Sequence, residues 1–333
     1  MAITVAVICT VRDEAASIDR LLDSLLTQTR QPDELIFVDG GSSDDTVARL
    51  KAREVAGAPL RVYSAPGANI SQGRNAAIRV ARADVIASVD AGVRLEPGWL
   101  AALVRPFEAA GGDAVDVVCG SFRPDARTPV ELALGATTLP TLEEIDPERF
   151  LPSSRSVAFR RRCWEAVAGY PEGLDYCEDL VFDLDLKRQG FRFVFAPDAL
   201  VHFRPRSNLL AFFKQYYRYA RGDGKADLWR RRHAIRYATY VVGPVVALLG
   251  FWYKLAWLAI GIAGAAYLYR PYRHLLPELR GRGRKAQAEA ALLVPVVRLV
   301  GDAAKMIGYP VGVVWRLRRG PPAQTRPTRV DRV

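Results

Sequence analysis

Acidic residues stand where apolar runs of this chain give way to polar sequence. Asp39 follows LIFV, Asp90 follows VIASV, and the pair Glu178-Asp179 opens a helical stretch. In an α/β fold with a largely parallel sheet, ligands bind in the crevice beyond the carboxyl ends of the strands. Carboxylates at several strand ends therefore converge on one pocket. Such a set can hold a divalent cation against a nucleotide's phosphates and leave one carboxylate to take a proton. That chemistry suits a sugar nucleotide.

The elements that must position these residues are legible in the periodicity. ITVAVI (3–8) is a continuous apolar run of the kind required of a strand buried on both faces. Apolar residues then recur at the helical spacing through Ile18, Leu21, Leu22, Leu25 and Leu26. Strands are expected at 35–38, 60–63, 85–89 and 115–119, and helices over 43–56, from an N-cap at Ser71 to 82, and over 97–110. This alternation predicts an α/β fold with a mostly parallel, right-handed βαβ sheet. The stretch 123–152 is rich in Pro, Thr and Glu and reads as an insertion without clear period, and order resumes with a strand at 157–159. Helices near 160–168 and 178–189, a strand at 191–195 and a helix over 208–221 follow.

Charge divides the chain. Residues 1–203 carry 22 Lys and Arg against 30 Asp and Glu, a net of −8, while 204–333 carry 25 against 6, a net of +19. An acidic half joined to a basic, apolar half points to an anionic membrane face. A nucleic-acid partner fits less well, because the basic residues flank apolar runs. The block from Tyr237 to Tyr269 is broken only by Lys254. Its halves would span roughly 25 and 22 Å at about 1.5 Å per residue, against a hydrocarbon core of about 30 Å. A tight hairpin that just crosses, or dips in and returns, is expected, with Lys254 and Trp257 near its tip. In a further apolar helix over 290–315, Arg298, Asp302 and Lys305 share one face, a narrow polar stripe suited to the membrane interface. Cys9, Cys119, Cys163 and Cys177 form no CxxC pair, which argues against a zinc site or a disulfide framework. The opening MAITVAVICT lacks a basic n-region and reads as a strand, not a signal peptide.

The ordered set of motifs over 3–222 resembles the family 2 glycosyltransferases of the GT-A fold. CTVRDEAASI resembles the family's first-strand loop, VDGGSSDDT its Val-Asp-Asp-Gly-Ser-x-Asp-x-Thr segment and ISQGRNAAI its Ala-Arg-Asn-x-Gly helix start. SVDAG stands where Asp-x-Asp sits, YCEDL where the Glu-Asp pair sits, and QYYRYARG where a Gln-x-x-Arg-Tyr/Trp element sits. The resemblance implies a GT-A, Rossmann-like sheet flanked by helices over 1–222. Beyond it come basic linkers at 223–236 and 270–289, a membrane hairpin at 237–269, an amphipathic interfacial helix at 290–319 and a disordered tail at 320–333.

It also implies residue roles. Thr10, Arg12, Glu14 and Asp39 would meet the base and ribose of the donor, and Arg74 a phosphate or base edge. Arg218 and Arg221, with Gln215, would reach phosphate or acceptor. Asp90 would bind Mn2+ or Mg2+. Gly92 replaces the second Asp of Asp-x-Asp, and His202 in VHFRP stands where many members carry a third metal ligand. Asp179 would be the general base of an inverting transfer, with Glu178 holding the helix start. The activity implied is transfer from a nucleoside-diphosphate sugar, UDP favoured, to a lipid-linked or membrane-proximal saccharide on the cytoplasmic face of the cell membrane. The alternative is a non-catalytic, membrane-docked nucleotide-sugar-binding protein on a decayed GT-A scaffold, favoured by Gly92 and the glycine-free SSRSVAF. A sugar-1-phosphate nucleotidyltransferase fits less well, because no Gly-rich basic loop follows the first strand.

Overall fold

The computed structural model describes residues 3–109, 114–322 and 331–332. The chain divides into two compact units, one of Met1–Arg123, Glu144–Phe203 and Pro322–Val333, the other of Pro124–Glu143 and Arg204–Pro321.

In the first unit, β1 (Val5–Val11), β2 (Glu34–Asp39), β3 (Leu60–Ser64) and β4 (Val85–Asp90) pair in parallel in the order β3-β2-β1-β4. The helices α1 (Ile18–Leu26), α2 (Thr46–Val55), α3 (Ile70–Val80) and α4 (Trp99–Glu108) alternate with these strands, and α6 (Arg161–Ala166) and α7 (Glu178–Arg188) follow later. The continuous apolar run of β1 has a simple cause. Val5, Val7, Cys9 and Val11 pack with Leu21 and Leu25 of α1 and Trp99 and Leu103 of α4. Ala6 and Ile8, facing the other way, pack with Ala76 and Ile78 of α3 and Phe182 and Leu186 of α7. A strand covered by helices on both faces has no side that favours polar residues.

The sheet is mixed, which corrects the mostly parallel expectation. Beyond β4 the chain adds β5 (Val93–Leu95), β6 (Val117–Pro124), β7 (Val157–Arg160), β8 (Phe193–Phe203) and β9 (Asp331–Arg332), completing the order β5-β8-β6-β7-β4-β1-β2-β3-β9. β7 runs antiparallel to both β4 and β6, β5 to β8, and β9 to β3. A helical crossover would have delivered β7 parallel to β4. It arrives instead after the long excursion of 125–156, part of which belongs to the second unit. Within the tail expected to be disordered, Asp331 and Arg332 pair with Ser64 and Tyr63. Residues 323–330 and 333 lie outside the described residues, as does Ala110 at the end of the helix expected over 97–110. All four cysteines are free thiols, and all but Cys177 are buried.

The second unit holds α5 (Pro129–Thr138), α8 (Leu209–Lys225), α9 (Arg230–Leu249), α10 (Lys254–Glu278) and α11 (Arg284–Arg319). Helix α5 falls in the stretch read as irregular. Its apolar residues lie all round the axis, so periodicity is silent, but Thr128 and Glu131 form a reciprocal capping box with Pro129 in the first turn. Leu132 and Leu134 of α5 pack with Phe212, Leu275, Val294 and Val297. The boundary expected at 222 falls at Phe203. Helix α8 belongs with α11 because their backbones touch. A Cβ added at Gly308 would lie 2.2 Å from the Tyr217 carbonyl oxygen, and one at Gly312 would lie 2.1 Å from that of Arg221. We expect Gly308→Val to lower the melting temperature through overpacking worth about 1–3 kcal/mol or more. Gly243→Ala, whose Cβ meets nothing within 4 Å, should not lower it, and equal unfolding of wild type and Gly308→Val would refute the close packing.

Three further expectations for this half change. The basic linkers are largely helical, since α9 begins at Arg230 and α10 continues to Glu278. The stripe of Arg298, Asp302 and Lys305 faces neighbouring helices and not an interface. Asp302 is buried and accepts from Arg236 Nε (2.8 Å), Tyr267 Oη (2.6 Å) and Tyr240 Oη (3.2 Å), while Arg298 donates to the Tyr267 carbonyl (3.1 Å). An apolar helix can carry Asp302 because three donors from its partners satisfy it, while Arg298 Nε has no hydrogen-bond partner among the described residues. Finally, no described helix is both long and apolar enough to cross a membrane. The turn between α9 and α10 leaves Phe251, Trp252 and Tyr253 exposed at its tip.

Candidate active site

Parallel register brings the strand-end residues level. Thr10 of β1 lies opposite Asp90 of β4, and Val11 opposite Asp39 of β2. Asp39 and Asp90 therefore stand on either side of the β1 terminus, as the sequence implied.

The two loops beyond these strands are tied together. Asp39 is buried and accepts from the Gly41 amide (3.0 Å), the Ser42 amide (3.1 Å) and Ser42 Oγ (2.5 Å). Asp13, in the left-handed region at φ 53°, accepts from the Ser43 amide (2.8 Å), and its own amide donates to Ser42 Oγ (2.9 Å). Glu14 donates its amide to Thr46 Oγ1 (2.8 Å) and accepts from Ser17 Oγ. Backbone strain of this kind persists where surrounding contacts enforce it and is common at binding sites. Arg12 is exposed beside this zipper and Thr10 is half-buried.

Helix α3 is capped by Asn69 in a reciprocal box with Gln72, not by Ser71 as expected. Ser71 is buried and donates to the Leu174 carbonyl (3.1 Å). From this helix Arg74, 3% exposed, sends Nη1 to Glu178 (2.6 Å) and Nη2 to Asp90 (2.9 Å). Asn75 donates to the Tyr170 carbonyl and to Glu172, and accepts from Trp164 Nε1 and the Tyr170 amide. The Arg-Asn pair thus holds the loop that leads to Glu178. The guanidinium fork assigned to a phosphate or base edge is engaged by two carboxylates. Burial works against its charge, but Glu178 and Asp90 outweigh that and hold Arg74 protonated.

Cys177, left-handed at φ 65°, turns the chain into α7, whose first turn carries Glu178 and Asp179. Asp179 is half-buried and its Oδ1 accepts from the Leu180 amide (2.8 Å). Two carboxylates at a helix N-terminus are favoured by the helix dipole. Burial, then the neighbouring charge of Asp179, push Glu178 above the usual carboxylate range against the pull of Arg74. One turn on, Asp183 is buried with Oδ2 lacking a hydrogen-bond partner among the described residues. Burial and then the charge of Asp179 drive it well above its ordinary value. Sequence reasoning missed Asp183, although its spacing from Asp179 is that of one helical face.

Asp90 also faces Arg155, whose Nε lies 3.7 Å from Oδ2. Arg155 lies within the glycine-free SSRSVAF, and nothing in that segment's own sequence marks it as a partner of Asp90. His202 is directed elsewhere: its Nε2 lies 2.6 Å from Glu96, which Arg94 also contacts (3.3 Å). Although burial raises Glu96, these hydrogen bonds hold it below the ordinary range. Arg218 and Arg221 lie on α8 and belong to the second unit, and Gln215 there donates to Tyr219 Oη (2.7 Å).

The residues present do not fit a divalent cation of the implied kind. Asp90 has each oxygen facing a guanidinium, Gly92 supplies no ligand, and His202 is bonded to Glu96. Among the described residues no three His, Cys, Asp or Glu are grouped to hold a metal.

Comparison with known proteins gives this geometry a context. The model described as glycosyl transferase family 2 matches residues 6–151, and that described as glycosyl transferase family group 2 matches 148–277. A protein of Bacillus subtilis (strain 168) described as the uncharacterized glycosyltransferase EpsJ is 28% identical over 204 residues, 58% of this chain. The match spans 58% of that relative's own length, less than two thirds. Among solved structures, the mannosyltransferase PcManGT from Pyrobaculum calidifontis, in complex with GDP-Man and Mn2+, has a TM-score of 0.57 at 17% identity, covering 96% of this chain and 88% of that one. GalNAc-T7 with UDP, GalNAc and Mn2+ has a TM-score of 0.51 at 15% identity, covering 66% of this chain and 47% of that one. At these identities the similarity to both is one of fold.

Proposed function

We propose that the chain is a glycosyltransferase of family 2, and that it moves a sugar, with inversion at the anomeric carbon, from a nucleoside diphosphate to a lipid-linked or membrane-proximal saccharide. The observation that carries this reading is the chain of contacts from Asp90 through Arg74 to Glu178, with Asp179 beside it at the start of α7. In an inverting transfer the acceptor hydroxyl attacks the anomeric carbon opposite the departing diphosphate, and a carboxylate must take its proton. Asp179 is our choice for that base. Glu178 is engaged by Arg74 and serves to position.

UDP is favoured as the carrier, with the exposed Arg12 and the loop around Asp39 receiving base and ribose. Mn2+ accompanies the nucleotide or nucleotide sugar in both solved relatives, and this chain's residues make a poor site for it.

We place the enzyme on the cytoplasmic face of the cell membrane. Along α9 and α10 Val241, Val245, Leu248, Leu255 and Leu258 are exposed, the α9–α10 turn exposes Phe251 and Trp252, and Arg230, Arg231, Arg232, Arg270 and Arg273 are exposed beyond the ends of that surface. Apolar area beside clustered positive charge favours anionic lipid. The full chain is expected to float with phosphatidylglycerol vesicles and to be released by salt. Equal recovery with pure phosphatidylcholine vesicles would refute the electrostatic part. The activity is tested by incubating full chain with radiolabelled UDP-, GDP- or dTDP-sugars and a bacterial lipid extract. Label is expected in the organic phase from one donor, and failure with all three would count against this reading.

A further inference from the structure

We propose that the guanidinium of Arg155 takes the cation's place in binding the donor's diphosphate, so that this chain holds its nucleotide without a metal. The inference rests on the donor reading above and specifies how that site meets phosphate.

A divalent cation of this class is held by several oxygen ligands around it. Here Gly92 stands where the second carboxylate would be, and a Cβ added there meets nothing within 4 Å. The carboxylate that remains, Asp90, is 31% exposed and is flanked by two guanidiniums. A cation arriving at Asp90 would have to displace one of them or sit beside two positive charges.

The two guanidiniums are not equivalent. Arg74 is buried and has strong hydrogen bonds to two carboxylates. Arg155 is 20% exposed and its pairing is loose, because 3.7 Å from Nε to Asp90 Oδ2 is an ion pair without a hydrogen bond. That Nε is buried and has no hydrogen-bond acceptor among the described residues. A buried donor left unmatched costs on the order of 1–3 kcal/mol. That Nε is closed to solvent, so it is the exposed part of the side chain, beside Asp90, that an anion can meet, and a small turn of the guanidinium toward the anion would relieve the unmatched donor.

The guanidinium is also held in place. Its Cζ lies 4.4 Å from the ring centroid of Phe203 and 5.5 Å from that of Phe122, and the two rings meet edge to face at 6.1 Å. Aromatic faces stabilise a cation without using its N–H groups. The planar fork is therefore pre-positioned with hydrogen-bonding capacity to spare, the property that suits Arg to phosphate. As the anomeric bond breaks, the diphosphate gains negative charge, which a fixed guanidinium stabilises.

Calorimetric binding of UDP, GDP and dTDP to the full chain, each with Mn2+ and again with EDTA, tests this. The nucleotide that binds wild type is expected to bind equally well in EDTA. Arg155→Gln should weaken it about tenfold to a hundredfold, the loss of charge-assisted hydrogen bonds, and Arg155→Lys should recover part of that. Gly92→Asp combined with Arg155→Gln should bind more tightly with Mn2+ than with EDTA. Loss of wild-type binding in EDTA, or unchanged binding by a folded Arg155→Gln, would overturn the inference and leave the donor reading intact. Absence of binding by all three nucleotides in either condition would overturn the donor reading and this inference with it. The chelator comparison needs only wild type, so it decides the matter if Arg155→Gln does not fold.

Discussion

Asp179→Asn is expected to bind nucleotide as wild type does and to transfer sugar about 10²- to 10⁴-fold more slowly, the contribution of a positioned general base. The substitution keeps the size of the side chain and an oxygen for the Leu180 amide, so the start of α7 should survive. It removes only the capacity to accept a proton. Calorimetry with UDP, GDP and dTDP alongside initial rates of transfer separates the two properties. Transfer at the wild-type rate would remove Asp179 from the mechanism. Glu178→Gln is not an equivalent control, because it removes the buried negative charge that Arg74 faces and so acts on folding as well.

The second large effect is expected on stability. Arg74→Met removes the positive charge between Glu178 and Asp90 and leaves two carboxylates facing a site built to neutralise them. Breaking a buried ion pair from one side costs about 3–5 kcal/mol. The pH dependence has a definite sign. In wild type the Glu178 carboxyl already lies above its unfolded value, burial being the main cause. A raised folded value makes the contribution present below the unfolded pKa and lost as pH rises through the folded one. Without Arg74 the folded value rises further, so the variant loses more stability over that window. Thermal unfolding of both chains in mildly acidic and neutral buffer should show a gap that narrows on acidification. An unchanged melting temperature at neutral pH, or a gap that widens in acid, would refute the assignment.

Parts of this architecture were legible because they depend on neighbours in the chain. The unbroken apolar run of β1 required helices on both faces, and both are present. Asp39 and Asp90 were placed at strand ends by the lengths of LIFV and VIASV, and parallel register then set them level with the β1 terminus. Other elements carried a local signal that periodicity could not weigh. Helix α5 is apolar on all sides, and only its Thr128 to Glu131 capping box marks it. At α3 the cap is Asn69, whose spacing to Gln72 is the same sign two residues before the serine that was read as the cap.

By itself the sequence determined the four parallel strands β1 to β4 and the helices between them, which acidic residues end those strands, and that the later half is apolar and basic. Tertiary structure alone decided what each charge meets. Arg74 and Glu178 are 104 residues apart, and nothing in either segment specifies that a guanidinium expected to meet a phosphate is engaged by that carboxylate. Arg155 reaches Asp90 only because β7 enters antiparallel beside β4. Asp302, read as part of a surface stripe, is buried because Arg236, Tyr240 and Tyr267 from two other helices converge on it. The physical reason is common to all three. Periodicity reports which face of an element is shielded from water, a property of that element alone, whereas the partner of a polar group depends on how distant segments close around it.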